Sequence, residues 1–206
     1  MNISLCCFVK NEMNCLNHMI NSVYDWVDEV VIVDTGSTDG CIDNLGDYKK
    51  ARIYKIGFSD FGSIRTLTSH LARNPWVLTL DADETLDNPH LLYGLTQDYQ
   101  QCAYAFPRKR WLDLEKTQQT ELDAFPDYQV RLYRNNPRYV WKRELHEYFE
   151  GGPVTKVPSG PIINHFQDVY KDTARKEKRQ ALYEVLAAKA KVTVEKGFVL
   201  VTKDSL

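Results

Sequence analysis

Two apolar runs, residues 3–9 and 30–33, flank a stretch in which Leu16, Met19, Ile20 and Val23 recur at i, i+3, i+4, i+7. That spacing predicts one buried helix face, with Asn14 placed to cap it. Residues 52–56 predict a shorter third strand. Ser63 then offers a cap for a helix carrying Ile64, Leu67 and Leu71, and residues 76–80 predict a fourth strand that stops abruptly at Asp81-Ala82-Asp83-Glu84. Near-continuous apolar strands separated by amphipathic helices predict a parallel sheet covered on both faces. Beyond residue 88 the pattern loosens. Residues 89–97 read as helix, 103–112 as extended, 113–126 as a polar loop and 162–166 as a last short strand. Residues 128–133 alternate like an edge or mixed strand. The longest helix signal is 171–191, with Leu182, Val185 and Leu186 set among many Lys and Arg. Without repeats or a linker, residues 1–206 read as a single α/β domain.

Composition narrows the class. Of 206 residues 43% are apolar and 26% charged, enough for a core without disulfides. Lys plus Arg (26) nearly balances Asp plus Glu (28), leaving a net charge of −2 and no general attraction to nucleic acid or anionic membrane. No apolar run approaches the roughly 18–20 residues of a transmembrane helix. The first residues lack a basic region and a cleavage site, so no signal peptide is expected. The cysteines (Cys6, Cys7, Cys15, Cys41, Cys102) are odd in number and have no paired-ligand spacing. Cys6 and Cys7 should point to opposite faces of the first strand. Reduced thiols in a cytoplasmic protein are expected, with neither a disulfide framework nor a zinc site.

In an open parallel sheet, ligands bind outside the carboxyl ends of the strands. Residues 8–12, 34–40 and 81–84 all follow predicted strands. Asp-x-Asp is common by chance in a chain this rich in aspartate, so its place at the end of an apolar strand carries the argument. Two such carboxylates, with a substrate's phosphates, suit Mg²⁺ or Mn²⁺. The plainer alternative is a polar turn, with Asp87 or Asn88 capping the next helix. Taken alone, the 34–40 loop reads as an ordinary strand-to-helix turn. No Gly-x-Gly-x-x-Gly or Walker pattern occurs, which argues against a dehydrogenase or a P-loop ATPase. His146 and His165 are structural or functional on equal terms. Trp111, Trp141, Tyr128 and Tyr148 either pack or stack on a substrate. The basic run 171–179 is a solvated helix face or a contact for an anionic substrate.

Residues 3–12 (ISLCCFVKNE), 30–40 (VVIVDTGSTDG) and 76–84 (WVLTLDADE) resemble, in order and spacing, family-2 glycosyltransferases of the GT-A fold. The sub-group acting on lipopolysaccharide cores is most similar, through residues 126–135 (PDYQVRLYRN) and Leu145-His146-Glu147. A weaker echo falls at 164–166. The resemblance implies a mixed, mostly parallel sheet flanked by helices. In it residues 1–87 hold a nucleotide sugar, most simply a UDP-sugar, and 88–206 the acceptor. It implies that Phe8, Glu12 and Asp34 receive base and ribose, and that Arg65 faces the nucleotide. Asp81 and Asp83 match the Asp-x-Asp, with Asp83 the direct ligand of Mn²⁺ or Mg²⁺. His165 would lie near the diphosphate or add a metal ligand. Glu147 matches the family's acidic base, and Asp127 competes with it. Where the family continues Ala-Arg-Asn this chain has Ile64-Arg65-Thr66. The acceptor stays open among a glycan, a lipid-linked saccharide, a protein and a modified nucleobase.

Two other classes fit part of the pattern. Leu78 to Leu86 matches a haloacid-dehalogenase-type phosphohydrolase, with Asp81 as nucleophile and Asp83 as acid, although that motif belongs on a first strand. A nucleotide-sugar-binding module without turnover would keep the fold alone. A sugar-nucleotide pyrophosphorylase would need a Gly-rich loop after the first strand, where Phe8-Val-Lys-Asn-Glu12 has no glycine.

Overall fold

The computed structural model describes residues 2–120, 125–170, 173–189, 193–195 and 198–200. Its first half comprises β1 (Ile3–Val9), α1 (Leu16–Val23), β2 (Glu29–Asp34), β3 (Ala51–Lys55), α2 (Phe61–His70), β4 (Trp76–Thr79) and β5 (Glu84–Asp87). The second half comprises α3 (Leu92–Thr96), β6 (Ala103–Arg110), β7 (Asp127–Arg134), β8 (Val140–Lys142), β9 (Tyr148–Glu150), β10 (Val154–Lys156), β11 (Ile162–His165), α4 (Gln167–Tyr170) and α5 (Thr173–Lys189). A short pair, β12 (Thr193–Glu195) and β13 (Phe198–Leu200), follows.

Among the described residues nine strands form one sheet in the order β3-β2-β1-β4-β7-β6-β11-β5, with β10 beside β6. β1 to β4 pair in parallel, whereas β7 runs against both β4 and β6. β11 lies parallel to β6 and antiparallel to β5. The sheet is therefore mixed but mostly parallel, flanked by helices in a single domain. Its strand order reverses between β1 and β4, where such sheets open a crevice.

The core lies on both faces of β1. Ile3, Leu5, Cys7 and Val9 pack with Leu16, Met19, Ile20 and Val23, the helix face expected from periodicity. Burying each such side chain contributes about 1.5–3 kcal/mol. Cys6 points the other way, with Val31, Val77, Tyr133 and Trp141. None of the five cysteines forms a disulfide, and burial pushes the thiols of Cys6 and Cys7 up, keeping them protonated and inert.

Several local expectations need correction. α1 starts after Cys15 and has no side-chain cap from Asn14. α2 is capped by Asp60, whose Oδ1 accepts the Ser63 amide at 2.7 Å, so Ser63 lies inside the helix. The buried face of α2 is not its Leu67 side: Leu67 is exposed, while Gly62, Ile64, Arg65, Thr68 and Ser69 are covered. These polar groups tolerate burial because each is paired, Thr68 Oγ1 with the Ile64 carbonyl and Ser69 Oγ with Tyr133 Oη at 2.6 Å. Of the two alternatives for residues 128–133, β7 takes the mixed one: it lies inside the sheet, antiparallel to both neighbours, and not at an edge. Of the expected helix 171–191, residues 171–172 and 190–191 lie outside the described residues, as do 121–124 of the expected loop 113–126.

Outside the main sheet, β8 and β9 form a hairpin seated on α2. Gly62 permits the contact. A Cβ there would lie 2.6 Å from the Arg143 carbonyl and 3.0 Å from that of Trp141. Gly62→Ala should therefore destabilise the protein by about 1–3 kcal/mol, although alanine is the better helix former. Urea unfolding checks this, and a gain in stability would contradict the close packing.

Candidate active site

The loops after β1, β2 and β4 open onto one cleft of about 1180 Å³. Phe8, Glu12, Thr35 and Asp39 line it from the first two loops, and Asp81 and Asp83 from the third. Arg108, Gln129 and Arg131 enter from β6 and β7, His146 and Glu147 from the hairpin loop, and His165 from β11. Lys178, Arg179 and Tyr183 close it from α5.

A chain of alternating charges runs along its floor. β7 pairs Leu132 with Leu78, so its next residue, Arg131, comes alongside the end of β4 where the Asp81 turn begins. Arg131 donates from Nε and Nη2 to the two oxygens of Glu84, at 2.9 and 2.7 Å, and from Nη2 to Asp81 Oδ2 at 3.0 Å. Arg65, from α2, donates through Nη2 to Asp81 Oδ1 at 2.8 Å and Glu147 Oε1 at 2.7 Å. Its Nε reaches the same Glu147 oxygen at 2.9 Å, and its Nη1 reaches Thr79 Oγ1 at 3.1 Å. Arg108 continues the chain, 3.7 Å from Glu84 Oε1 and 2.6 Å from Asp127 Oδ2. Arg65, Arg131 and Glu84 are buried, and such charges persist only when paired and hydrogen-bonded. Burial opposes the charge on Arg65, but Asp81 and Glu147 outweigh it and hold the guanidinium well above its usual range. Burial likewise pushes the Asp81 carboxyl up. Arg65 and Arg131 overcome this and hold it well below the usual carboxylate range.

Glu147 sits at the end of the five-residue loop between β8 and β9. Three anchors hold that loop. The first amides of α2, otherwise orphans of the helix start, donate from Phe61 to the Glu144 carbonyl (3.2 Å) and from Gly62 to that of Arg143 (3.1 Å). The Trp141 amide donates to Thr66 Oγ1 at 2.7 Å, giving a role to the threonine that departs from the family's Asn. Leu145 packs with Leu186 and Ala187 of α5. Arg143 (φ 80°) and His146 (φ 53°) hold left-handed conformations, each costing roughly 1–2 kcal/mol for a residue with a side chain. Burial lowers the His146 imidazole below its ordinary value, with Glu147 opposing and Arg143 assisting.

Asp83 is placed differently from Asp81, two residues away. Its carbonyl accepts the Phe166 amide at 2.9 Å, which ties the turn to the end of β11. His165, opposite Glu84 across the β5–β11 pair, then brings its Nε2 to 3.6 Å from Asp83 Oδ1. The buried His165 Nδ1 has no hydrogen-bond partner among the described residues. One carboxylate and one imidazole at the cleft wall suit a Mg²⁺ or Mn²⁺ ion that takes its remaining ligands from phosphates and water. Among the described residues no group of three or more His, Cys, Asp or Glu is arranged to hold a metal by itself. Asp81 is a poor ligand, since both its oxygens already accept guanidinium bonds.

Of the residues singled out in the sequence, Phe8, Glu12, Arg65, Asp81, Asp83, Glu147 and His165 come together on the cleft. Asp34 and Asp127 are not among the groups lining it. Asp34 is buried and its Oδ1 accepts the amides of Gly36 (3.2 Å) and Ser37 (2.8 Å), the plain-turn alternative, while neighbouring Thr35 faces the cleft. Asp127 Oδ2 takes two bonds from Arg108, and its Oδ1 takes one from Gln129 at 2.7 Å. Arg131 escaped the sequence reading, and Glu84 entered it only as the last residue of the 81–84 segment, without a role of its own. The available signal was an arginine between Val130 and Leu132, an interior position of an apolar strand.

The chain belongs to glycosyl transferase family 2, whose family model matches residues 4–152. It is 31% identical over 176 residues to a TPR repeat-containing protein of Synechococcus elongatus, covering 80% of this chain and 42% of that protein. An uncharacterized glycosyltransferase of Rickettsia felis is 33% identical over 84 residues, 41% of this chain and 29% of that protein. The chain thus spans less than half the length of these curated relatives. Among solved structures, S. aureus TarS 1–349 in complex with UDP aligns with a TM-score of 0.60 at 13% identity, over 96% of this chain and 74% of that one. Its complex with UDP-GlcNAc gives 0.58 at 13% identity, over 96% and 68%. The shared architecture is the GT-A fold. The phosphohydrolase alternative is overturned by the family, and its required nucleophile, Asp81, is bonded at both oxygens.

The charge chain has a pH signature. Asp81 titrates below its ordinary value of 3.8 in the folded protein, so the folded state binds fewer protons than the unfolded one. The stability it contributes is complete above that value and is lost as pH falls through the lower, folded one. Urea midpoints from pH 7 to 3 should fall more steeply below pH about 4 for the wild type than for Asp81→Asn. Parallel curves would show that the arginines do not hold Asp81.

Proposed function

We propose that this domain transfers a sugar from a nucleotide sugar, with a UDP-sugar as donor, to an acceptor hydroxyl with inversion, aided by Mn²⁺ or Mg²⁺. The observation that carries the reading is convergence: Asp83, His165 and Glu147 line one cleft at the carboxyl ends of β1 and β4. Residues 1–87 would supply most of the donor side and 88–206 most of the acceptor side. The TarS complexes with UDP and UDP-GlcNAc make uridine nucleotides the first donors to test.

Asp83 and His165 would hold the ion, and when bound it would offset the charge that develops on the departing diphosphate. Phe8, Glu12 and Thr35 would lie against the nucleoside. Glu147 would accept the proton of the attacking hydroxyl. Its Oε1 takes both Arg65 bonds, and its Oε2 accepts none from the described residues. Asp127, with both oxygens engaged and no place on the cleft, is the weaker base. Within the family we group the chain with the lipopolysaccharide-core type, on residues 126–135 and Leu145-His146-Glu147. Cysteines without disulfides, four of the five buried, support a cytoplasmic setting, and no helix among the described residues is long and apolar enough to cross a membrane.

A panel of nucleotide sugars with Mn²⁺, read by release of free nucleoside diphosphate, tests the activity. Release of inorganic phosphate alone, or of nothing, would overturn it. Calorimetry should show Mn²⁺-dependent UDP binding that Asp83→Ala abolishes without changing the fold; metal-independent binding of equal affinity would remove the ion. Glu147→Gln should cut kcat by roughly 10²–10⁴ with UDP affinity intact. Wild-type turnover by that variant, with Asp127→Asn inactive, would pass the role of base to Asp127.

A further inference from the structure

We infer that Arg65 is a positioning residue for the Glu147 base and does not contact the nucleotide, as a cleft-facing arginine in this family would otherwise be read to do. The inference rests on the proposed role of Glu147. A guanidinium has five N–H donors, fixed in one plane. Four of Arg65's are spent within the protein: two on Glu147 Oε1, one on Asp81 and one on Thr79. Two aromatic rings crowd it as well, the guanidinium carbon lying 5.1 Å from the centre of the Phe8 ring and 5.2 Å from that of Trp141. A buried cation already neutralised by two carboxylates and flanked by two rings has little left with which to bind a diphosphate.

What it can do is set a direction. Nε and Nη2 both converge on Oε1, so the carboxylate cannot rotate without losing two charge-assisted bonds, and Oε2 is the oxygen left for the acceptor. The same Nη2 also binds Asp81, which Arg131 fixes from the other side. The base on a hairpin loop is thereby referenced to the end of β4.

The test uses the full chain, the nucleotide sugar selected by the panel with water as acceptor, and UDP as the binding probe. Arg65→Ala should lower kcat about 10²-fold, the scale of a misplaced catalytic group, with UDP affinity and donor KM unchanged. Arg65→Lys should recover only part, since an ammonium lacks the planar fork. Guanidinium ion added to Arg65→Ala should restore activity. It should restore none to Arg65→Ala/Glu147→Gln, and in the Glu147→Gln background loss of Arg65 should cost nothing more. A merely structural role would give additive losses and no rescue. If Arg65→Ala does not fold, Arg65→Lys and Arg65→Gln carry the same comparison. Weaker UDP binding with kcat spared at saturating donor would overturn the inference and put Arg65 on the nucleotide. An inactive Glu147→Gln beside a fully active Arg65→Ala would overturn this inference alone. A fully active Glu147→Gln would overturn the proposed base as well.

Discussion

The ion pair of Asp81 with Arg65 and Arg131 is the constraint on which the site depends. Asp81, Asp83 and Glu84 fall within four residues of one turn, and like charges so close in a partly dry setting repel strongly. Arginines from two distant parts of the chain make the turn tolerable, one from α2 and one from β7. Each is in turn satisfied by a further carboxylate, Glu147 or Glu84, so the charge is distributed along a chain rather than left on any one group. Breaking one link would leave a buried charge without its partner, which costs about 3–5 kcal/mol, more than the pair itself adds.

That network also separates two aspartates that a linear motif treats alike. Asp81 is consumed by the scaffold. Asp83 lies next to a histidine whose buried Nδ1 has no hydrogen-bond partner among the described residues. The difference comes from the turn, in which the Glu84 amide donates to the Asp81 carbonyl at 2.9 Å and the Glu84 carboxylate accepts the Asp81 amide at 3.1 Å. The two side chains then leave in different directions, one toward β7 and α2, the other toward β11.

Much of this was legible in the residues themselves, and the parts that were not share a cause. The face of α1 could be read because apolar burial follows helical periodicity. The face of α2 could not, because it is buried through Arg65, Thr68 and Ser69, whose partners Glu147, Asp81 and Tyr133 come from other segments. The strands ending at the cleft and the residues gathered there followed from sheet physics and the family resemblance. Asp34 was assigned to the nucleotide by the family resemblance, whereas its own neighbours in sequence read as a plain turn; the bonds from the Gly36 and Ser37 amides to its Oδ1 are those of the turn. Arg131 was hidden inside an alternating strand, where periodicity has no symbol for a charge neutralised from across the sheet.

The hairpin of β8 and β9 joins only three residue pairs and contributes no strand to the main sheet. A two-stranded ribbon of this length does not persist in water by its own hydrogen bonds. It borrows its order from the start of α2, from Leu186 and Ala187 on a helix near the end of the described chain, and from Trp141 and Phe149, which pack on Tyr133. Local opening there costs less free energy than unfolding the β1-centred core. On warming, the hairpin amides should therefore exchange with solvent while the circular dichroism of the sheet is still that of the native fold.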